Sequence, residues 1–205
     1  MNNDLKKNII DISYKHKLSH LGSVLSAVDI IEQIYTIKKD NEPFILSCGH
    51  AGLALYAVIE KHYGKKAEEI LLEHNIHPDY CPDCHLDCSA GSLGHGLCIS
   101  LGIALADRSR NVYCLISDGE ATEGSIWEGL RIKQELNLDN LHVYCNWNNW
   151  GAYDKSNLNL REMLKEYGVI LCDTTVEQLP FLIGQDAHYK TLSEEDYQLA
   201  LKQYE

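Results

Sequence analysis

The sequence lacks any run of the roughly eighteen apolar residues that a membrane-crossing helix needs, and its opening residues, Met1 to Lys7, lack the apolar stretch of a signal peptide. Both absences argue for a soluble, cytoplasmic chain. Basic charge is scarce as well: 18 Lys and Arg stand against 30 Asp and Glu, a formal net charge of −12. Nucleic acids and membrane surfaces are themselves polyanionic, so neither is expected as a partner. An anionic cofactor stays compatible with this charge if helix N-termini and a divalent cation hold it, rather than the field of the whole protein. The 205 residues, 45% of them apolar, suffice to bury one good core and leave no room for a second α/β domain. The expectation is a single domain over 1–205.

What is present is an alternation of helices and strands. Leu5, Ile9 and Ile12, then Ile30, Ile31, Ile34 and Ile37, recur at helical spacing and predict helices over 3–18 and 27–38, with a polar loop at 19–23 between them. A short apolar strand at 44–47 leads through Cys48-Gly-His-Ala-Gly52 into a helix over 53–61, and another helix follows over 65–73. Pro78 and Pro82 make 74–89 a loop, after which Gly91-Ser-Leu-Gly-His-Gly96 opens an apolar helix reaching Ala106. Strands at 111–116 and 141–145 flank a helix over 125–136. A helix over 158–167, a strand at 168–172 and a terminal helix capped by Ser193 complete the pattern. Strand, glycine and helix in repeated order form the βα units of a parallel sheet. The expected fold is a doubly wound, mainly parallel α/β sheet flanked by helices.

Chemistry concentrates where strand 111–116 runs out into Ser117-Asp-Gly-Glu120. Open α/β sheets bind ligands outside the carboxyl ends of their strands. Asp118 offers a hard carboxylate oxygen there, Gly119 lets a ligand approach the backbone, and Asn148, just past the next strand, offers a carbonyl oxygen. With a main-chain carbonyl from the loop beyond, these oxygens make a half-shell for Mg²⁺ or Ca²⁺, its open positions suited to phosphate and water. Asp-Gly is also a common turn dipeptide, and a plain turn is the competing reading. Gly49 and Gly52 likewise read as capping and close packing, and the glycines of 91–96 as a helix start whose bare N–H groups suit an anion.

The run from Ser117 through Glu123, Gly124 and Glu128 to Asn148, thirty residues after Asp118, resembles the thiamine-diphosphate motif of transketolases, with Ser117 where that family usually has Gly. His20-Leu-Gly22 is similar to the family's His-x-Gly, Cys48-Gly-His50 to its Ser-x-Gly-His region, His77-Pro-Asp79 to its Gly-His-Pro-Glu loop, and the segment around His188 to its ending. The resemblance implies the thiamine-diphosphate-binding (diphosphate-domain) fold. It implies that Asp118, Asn148 and the carbonyl of Trp150 hold the metal, and that Gly119 gives the diphosphate room. Gly91 and Leu93 would lie along the cofactor, and His20, His50, His77 and His188 would orient substrate and shuttle protons. Glu123 and Glu128 read as solvated carboxylates, or, by the resemblance, as neighbours of a dimer interface.

In this family the reactive end of the cofactor depends on a glutamate of a pyrimidine-binding domain. The pyrimidine-binding and C-terminal domains are not expected within these 205 residues, and the stretch from Thr174 to Asp186 is short beside the family's. The resemblance therefore implies a shortened thiamine-diphosphate- and Mg-binding subunit of a split transketolase. With a separate pyrimidine-domain subunit, as a homodimer or heterotetramer, it would move a two-carbon ketol unit between sugar phosphates. A subunit of a 1-deoxyxylulose-5-phosphate synthase-like enzyme, or a non-catalytic interaction protein retaining the fold, are the alternatives.

Eight cysteines without a signal peptide favour free thiols or metal over disulfides. Cys48, Cys98, Cys114, Cys145 and Cys172 sit in apolar or strand-like contexts and read as small buried residues. Cys81, Cys84, His85 and Cys88 cluster within eight residues. They read as a zinc site, which His74 or His77 could join, as a polar loop of reduced thiols, or as a redox pair.

Overall fold

The computed structural model describes residues 3–151 and 153–204. Helix α1 (Asn3–His16) buries Leu5, Ile9 and Ile12 on one side and ends two residues before the predicted boundary, where Lys17 turns left-handed (φ 53°) and Leu18 N–H bonds back to the Ser13 carbonyl at 3.0 Å. Helix α2 (Leu21–Ile37) begins six residues earlier than expected. Leu21, Val24, Leu25 and Val28 extend its apolar stripe, and even Ser23 and Ser26 are buried. The loop expected at 19–23 is thus reduced to Ser19 and His20. Gly22 permits this: a Cβ there would come within 2.8 Å of the Ala187 and Val176 carbonyl oxygens.

Strand β1 (Phe44–Leu46) leads through a short 3₁₀ turn, Gly49–Ala51, into α3 (Gly52–Tyr63) and then α4 (Ala67–His74). Helix α5 (His95–Ala106), strand β2 (Val112–Ser117), helix α6 (Gly124–Glu135) and strand β3 (Leu141–Trp147) follow. The chain closes with α7 (Leu158–Glu166), β4 (Ile170–Asp173), α8 (Asp186–Tyr189) and α9 (Glu194–Gln203). A capping box between Ser193 and Asp196 starts α9.

The four strands form one parallel sheet in the order β1-β2-β3-β4. Side chains alternate across it, so each strand serves two cores. Phe44, Leu46, Tyr113 and Leu115 face a core built with α1–α4, α8 and α9. Ile45, Val112, Cys114 and Ile116 face a second core built with α5, α6 and α7. Helices on both faces of a parallel sheet are what the near-continuous apolar strands required. They are reached without a reversal of strand order, because the long β1–β2 connection carries α3 and α4 on one face and α5 on the other. Gly96 brings α5 against the end of β1: a Cβ there would meet Ser47 Cα at 2.6 Å. Among the described residues no helix is long and apolar enough to cross a membrane.

Candidate active site

The carboxyl ends of β2 and β3 open into a cleft lined by Ser117, Asp118, Gly119, Asn148 and Trp150. Parallel pairing of Ser117 with Asn146 sets the two strand ends level, and Asp118 N–H reaches the Asn146 carbonyl at 3.2 Å. Asp118 is 1% exposed; its Oδ1 accepts Gly119 N–H (3.0 Å) and its Oδ2 accepts the Ser156 hydroxyl (2.8 Å). Burial outweighs these bonds and pushes its carboxyl up to about 6. Asn148 is buried as well, its Oδ1 accepting Trp150 N–H at 3.0 Å and its amide donating to Ser26 Oγ at 3.4 Å. Asp118 forms no ion pair among the described residues. A buried carboxylate beside an amide oxygen, with no cation to compensate it, is a hard-donor set that fits Mg²⁺ or Ca²⁺.

The same cleft contains Leu93, His20, His50, His77 and His188. The ring centroid of His20 lies 5.5 Å from that of His50 and 6.2 Å from that of His188. His20 is left-handed (φ 65°), a conformation costing about 1 kcal/mol or more for a non-glycine residue. Two contacts hold it there: its N–H donates to the His188 carbonyl, and its Nδ1 lies 2.8 Å from Ser19 Oγ. His188 Nδ1 lies 2.9 Å from Ser23 Oγ, while its Nε2 is buried without a well-formed hydrogen bond. Burial, then the neighbouring His20, lowers His188 to about 4. His20 is lowered by burial and then by His77. The downward shifts of His20 and His188 favour the neutral ring, the state in which an imidazole both accepts and donates a proton.

His50 carries the largest of these shifts. Burial first, then His20, His188 and His77, lowers it from 6.5 to about 3. An unfolded chain binds this proton near pH 6.5 and the folded chain only near 3, so the stability contribution is complete above about 6.5 and lost as pH falls towards 3. Between pH 7 and 5 His50 is expected to account for about 2 kcal/mol of lost stability. Urea unfolding of His50→Gln should therefore show a pH 7-to-5 loss smaller by that amount, and identical losses in both proteins would refute the assignment.

Gly91 and the cysteine cluster sit differently from expectation. Gly91 (φ 150°) does not line the cleft; it packs against the His77 ring, where a Cβ would lie 3.6 Å from Cγ. The N–H groups at the start of α5 are not all bare for an anion either, since Gly94 N–H donates to Glu120 Oε1 at 2.8 Å. Cys81 and Cys84 are joined by a disulfide across a 3₁₀ turn, Pro82–Cys84, rather than being free thiols. His85 and Cys88 do not join them: the imidazole stacks on Tyr63 with centroids 3.8 Å apart, and Cys88 Sγ contacts the Ser89 carbonyl at 3.0 Å. Cys48, Cys114 and Cys145 are buried, whereas Cys98 lies exposed on α5 and Cys172 half-buried on the edge strand. Glu128 is solvated and paired with Arg131 at 2.6 Å.

Several residues of the site escaped the sequence reading. Glu120 is fully buried and takes three donors: Ser47 Oγ (2.6 Å) and Gly94 N–H (2.8 Å) on Oε1, and Ser117 N–H (3.0 Å) on Oε2. It ties the ends of β1 and β2 to the start of α5. Ser26 accepts from Asn146 Nδ2 at 2.8 Å as well as from Asn148. Ser23 and Ser26 were detectable as polar residues three apart within the apolar first two turns of α2. Ser156, and Tyr189, which lines the cleft next to His188, carried no comparable signal.

Residues 3–161 match the family described as "Transketolase, thiamine diphosphate binding domain". The chain is 33% identical to the transketolases of Pongo abelii and Homo sapiens over 171 residues, which is 74% of this chain and 27% of each relative. It is 29% identical over 157 residues to an apulose-4-phosphate transketolase subunit of Phocaeicola vulgatus, covering 66% of this chain and 55% of that one. The transketolase structure from Campylobacter jejuni superimposes with a TM-score of 0.79 at 20% identity, over 98% of this chain and 42% of the other. The chain thus spans about a quarter of the animal relatives' length and about half of the Phocaeicola protein's.

Proposed function

Because the chain belongs to the transketolase family through its thiamine-diphosphate-binding domain, we propose that it is the cofactor-anchoring subunit of a split transketolase. The observation that carries this reading is the convergence, in one cleft, of Asp118 and Asn148 with four histidines drawn from four separated segments. Asp118, Asn148 and the Trp150 carbonyl would hold Mg²⁺ against the diphosphate, and Gly119 would leave space for it. When bound, thiamine diphosphate supplies the nucleophilic carbon that cleaves and forms the ketol bond. His20, His50, His77 and His188 would orient the hydroxyl and phosphate groups of a sugar phosphate and exchange protons with its oxygens.

In this reading the described domain binds the diphosphate end of the cofactor, and a separate polypeptide supplies the pyrimidine-binding domain. The Phocaeicola relative, whose name makes it one part of a divided transketolase, supports such an arrangement. The cleft's volume of about 200 Å³ is below the roughly 300–1,000 Å³ of sites that enclose a whole ligand, and would take one end of the cofactor. Calorimetry with thiamine diphosphate and MgCl₂ should give appreciable binding only after the pyrimidine-domain polypeptide is added. Equal binding by the chain alone would exclude the divided site, and no binding in either arm would make the chain a non-catalytic relative.

A further inference from the structure

Away from the cleft, four metal-ligating side chains converge where α4 ends against the loop that follows it. Glu73 and His74 are its last two residues, and Cys81 and Cys84 flank the next turn; one donor atom from each lies within 4.8 Å of all the others. We propose that, with Cys81 and Cys84 reduced, these four residues form a structural zinc site independent of the cofactor cleft.

Three of the four residues already stand at near-tetrahedral separations, while the bonded sulfurs of Cys81 and Cys84 must part. His74 Nε2 lies 3.2 Å from Cys84 Sγ, Glu73 Oε2 lies 3.8 Å from the same sulfur, and Glu73 Oε1 lies 3.7 Å from His74 Nε2. Zinc–ligand bonds of about 2.0–2.3 Å at tetrahedral angles place such atoms about 3.4–3.8 Å apart. The two sulfurs come from a Cys-x₂-Cys turn, the usual spacing for one half of a zinc site. Main-chain bonds pin that turn: Cys84 N–H to the Cys81 carbonyl at 2.9 Å, and the paired Cys81 and Leu86 bonds at 2.9 and 3.0 Å.

The surroundings of Cys84 suit a thiolate. Its sulfur is fully buried and has Lys65 Nζ at 2.8 Å in addition to His74. An ammonium and an imidazole against a buried sulfur stabilise negative charge, which a disulfide does not carry. Zinc with two thiolates and one carboxylate has a net charge of −1, and Lys65 neutralises it from just outside the shell. With four protein ligands and His74 and Cys84 buried, no position is left open for substrate, so the role is structural. The metal would fix the end of α4 to the loop that carries His77.

Zinc requires the disulfide to be opened. Two equivalents of a monothiol reductant put two electrons into the S–S bond, giving two cysteine thiols and one reductant disulfide. Zinc then forms two Zn–S bonds and releases both thiol protons to solvent.

The test is metal uptake by the full chain, reduced and stripped with a chelator, titrated with Zn²⁺ or Co²⁺. One equivalent per chain is expected, with the thiolate-to-cobalt charge-transfer band and strong visible bands of a tetrahedral site. Cys84→Ser and His74→Ala should weaken uptake at least tenfold, while His85→Ala and Cys88→Ser leave it unchanged. Absence of stoichiometric uptake by the reduced wild-type chain overturns the proposal, as does uptake that depends on Cys88 rather than His74.

Discussion

Asp118→Ala is expected to weaken Mg²⁺-dependent binding of thiamine diphosphate by at least about 100-fold, or roughly 2.7 kcal/mol, in the assembled enzyme. The carboxylate is the charged member of the hard-donor set at the strand ends, and Asn148 alone supplies only a neutral oxygen. Asp118→Asn keeps an oxygen in place without the charge and should fall between the alanine variant and wild type. The fold should survive both changes. Burial raises the Asp118 carboxyl from 3.8 to about 6, so its stability contribution is complete below about pH 3.8 and lost as pH rises through 6. In the metal-free protein at neutral pH the charged side chain is therefore a net cost that offsets its bonds to Gly119 and Ser156, and removing it should lower the unfolding free energy by no more than about 1 kcal/mol. Calorimetry reads the affinity and urea unfolding reads the stability. An Asp118→Ala protein that binds cofactor as tightly as wild type would remove Asp118 from the metal site.

Two residues further on, Glu120→Ala should have the opposite profile, lowering stability by about 3 kcal/mol or more in urea unfolding. Truncation strands the Ser117 and Gly94 N–H groups and the Ser47 hydroxyl inside the protein, each buried donor costing about 1–3 kcal/mol when unpaired. Burial raises the Glu120 carboxyl despite these bonds, so its three donors are what make the buried acid tolerable. Glu120→Gln keeps one oxygen for Ser47 and Gly94 but turns an amide N–H₂ towards Ser117 N–H, and should lose about half as much. Glu128→Ala, on an exposed surface pair, is the control and should stay within about 0.5 kcal/mol. If Glu120→Ala is no less stable than that control, the carboxylate does not hold the three segments together.

The neighbouring acids illustrate how much a linear reading conveys. Asp118 was legible because a strand end followed by Asp-Gly is a local signal, and the spacing to Asn148 is set by one βαβ unit. Glu120 belongs to the same string, but its partners come from positions 47, 94 and 117, and nothing local connects them. The start of α2 was misplaced for a related reason. His20-Leu-Gly-Ser is polar and small enough to read as a loop, and only the approach of Val176 and Ala187 to Gly22 shows why it is helical. At the cysteine cluster, short sequence distance favoured His85 and Cys88. The 3₁₀ turn instead directs His85 onto Tyr63 and brings Cys84 back to the end of α4.

Periodicity and turn residues, which act over a few positions, were enough to establish the α/β alternation, the parallel sheet and the strand ends where Asp118 and Asn148 lie. The motifs around His20, His50, His77 and His188 already marked these four of the ten histidines, whereas packing alone decided how close their rings come, how far burial lowers His20, His50 and His188, and which ligands meet at Cys84. His188 shows the reason most directly. It reaches His20 because α8 packs on α2, with Ser23 holding its ring from 165 residues away in sequence. Such a contact exists only when two apolar faces are buried together, and the energy of that burial depends on the whole core rather than on any residue near His188.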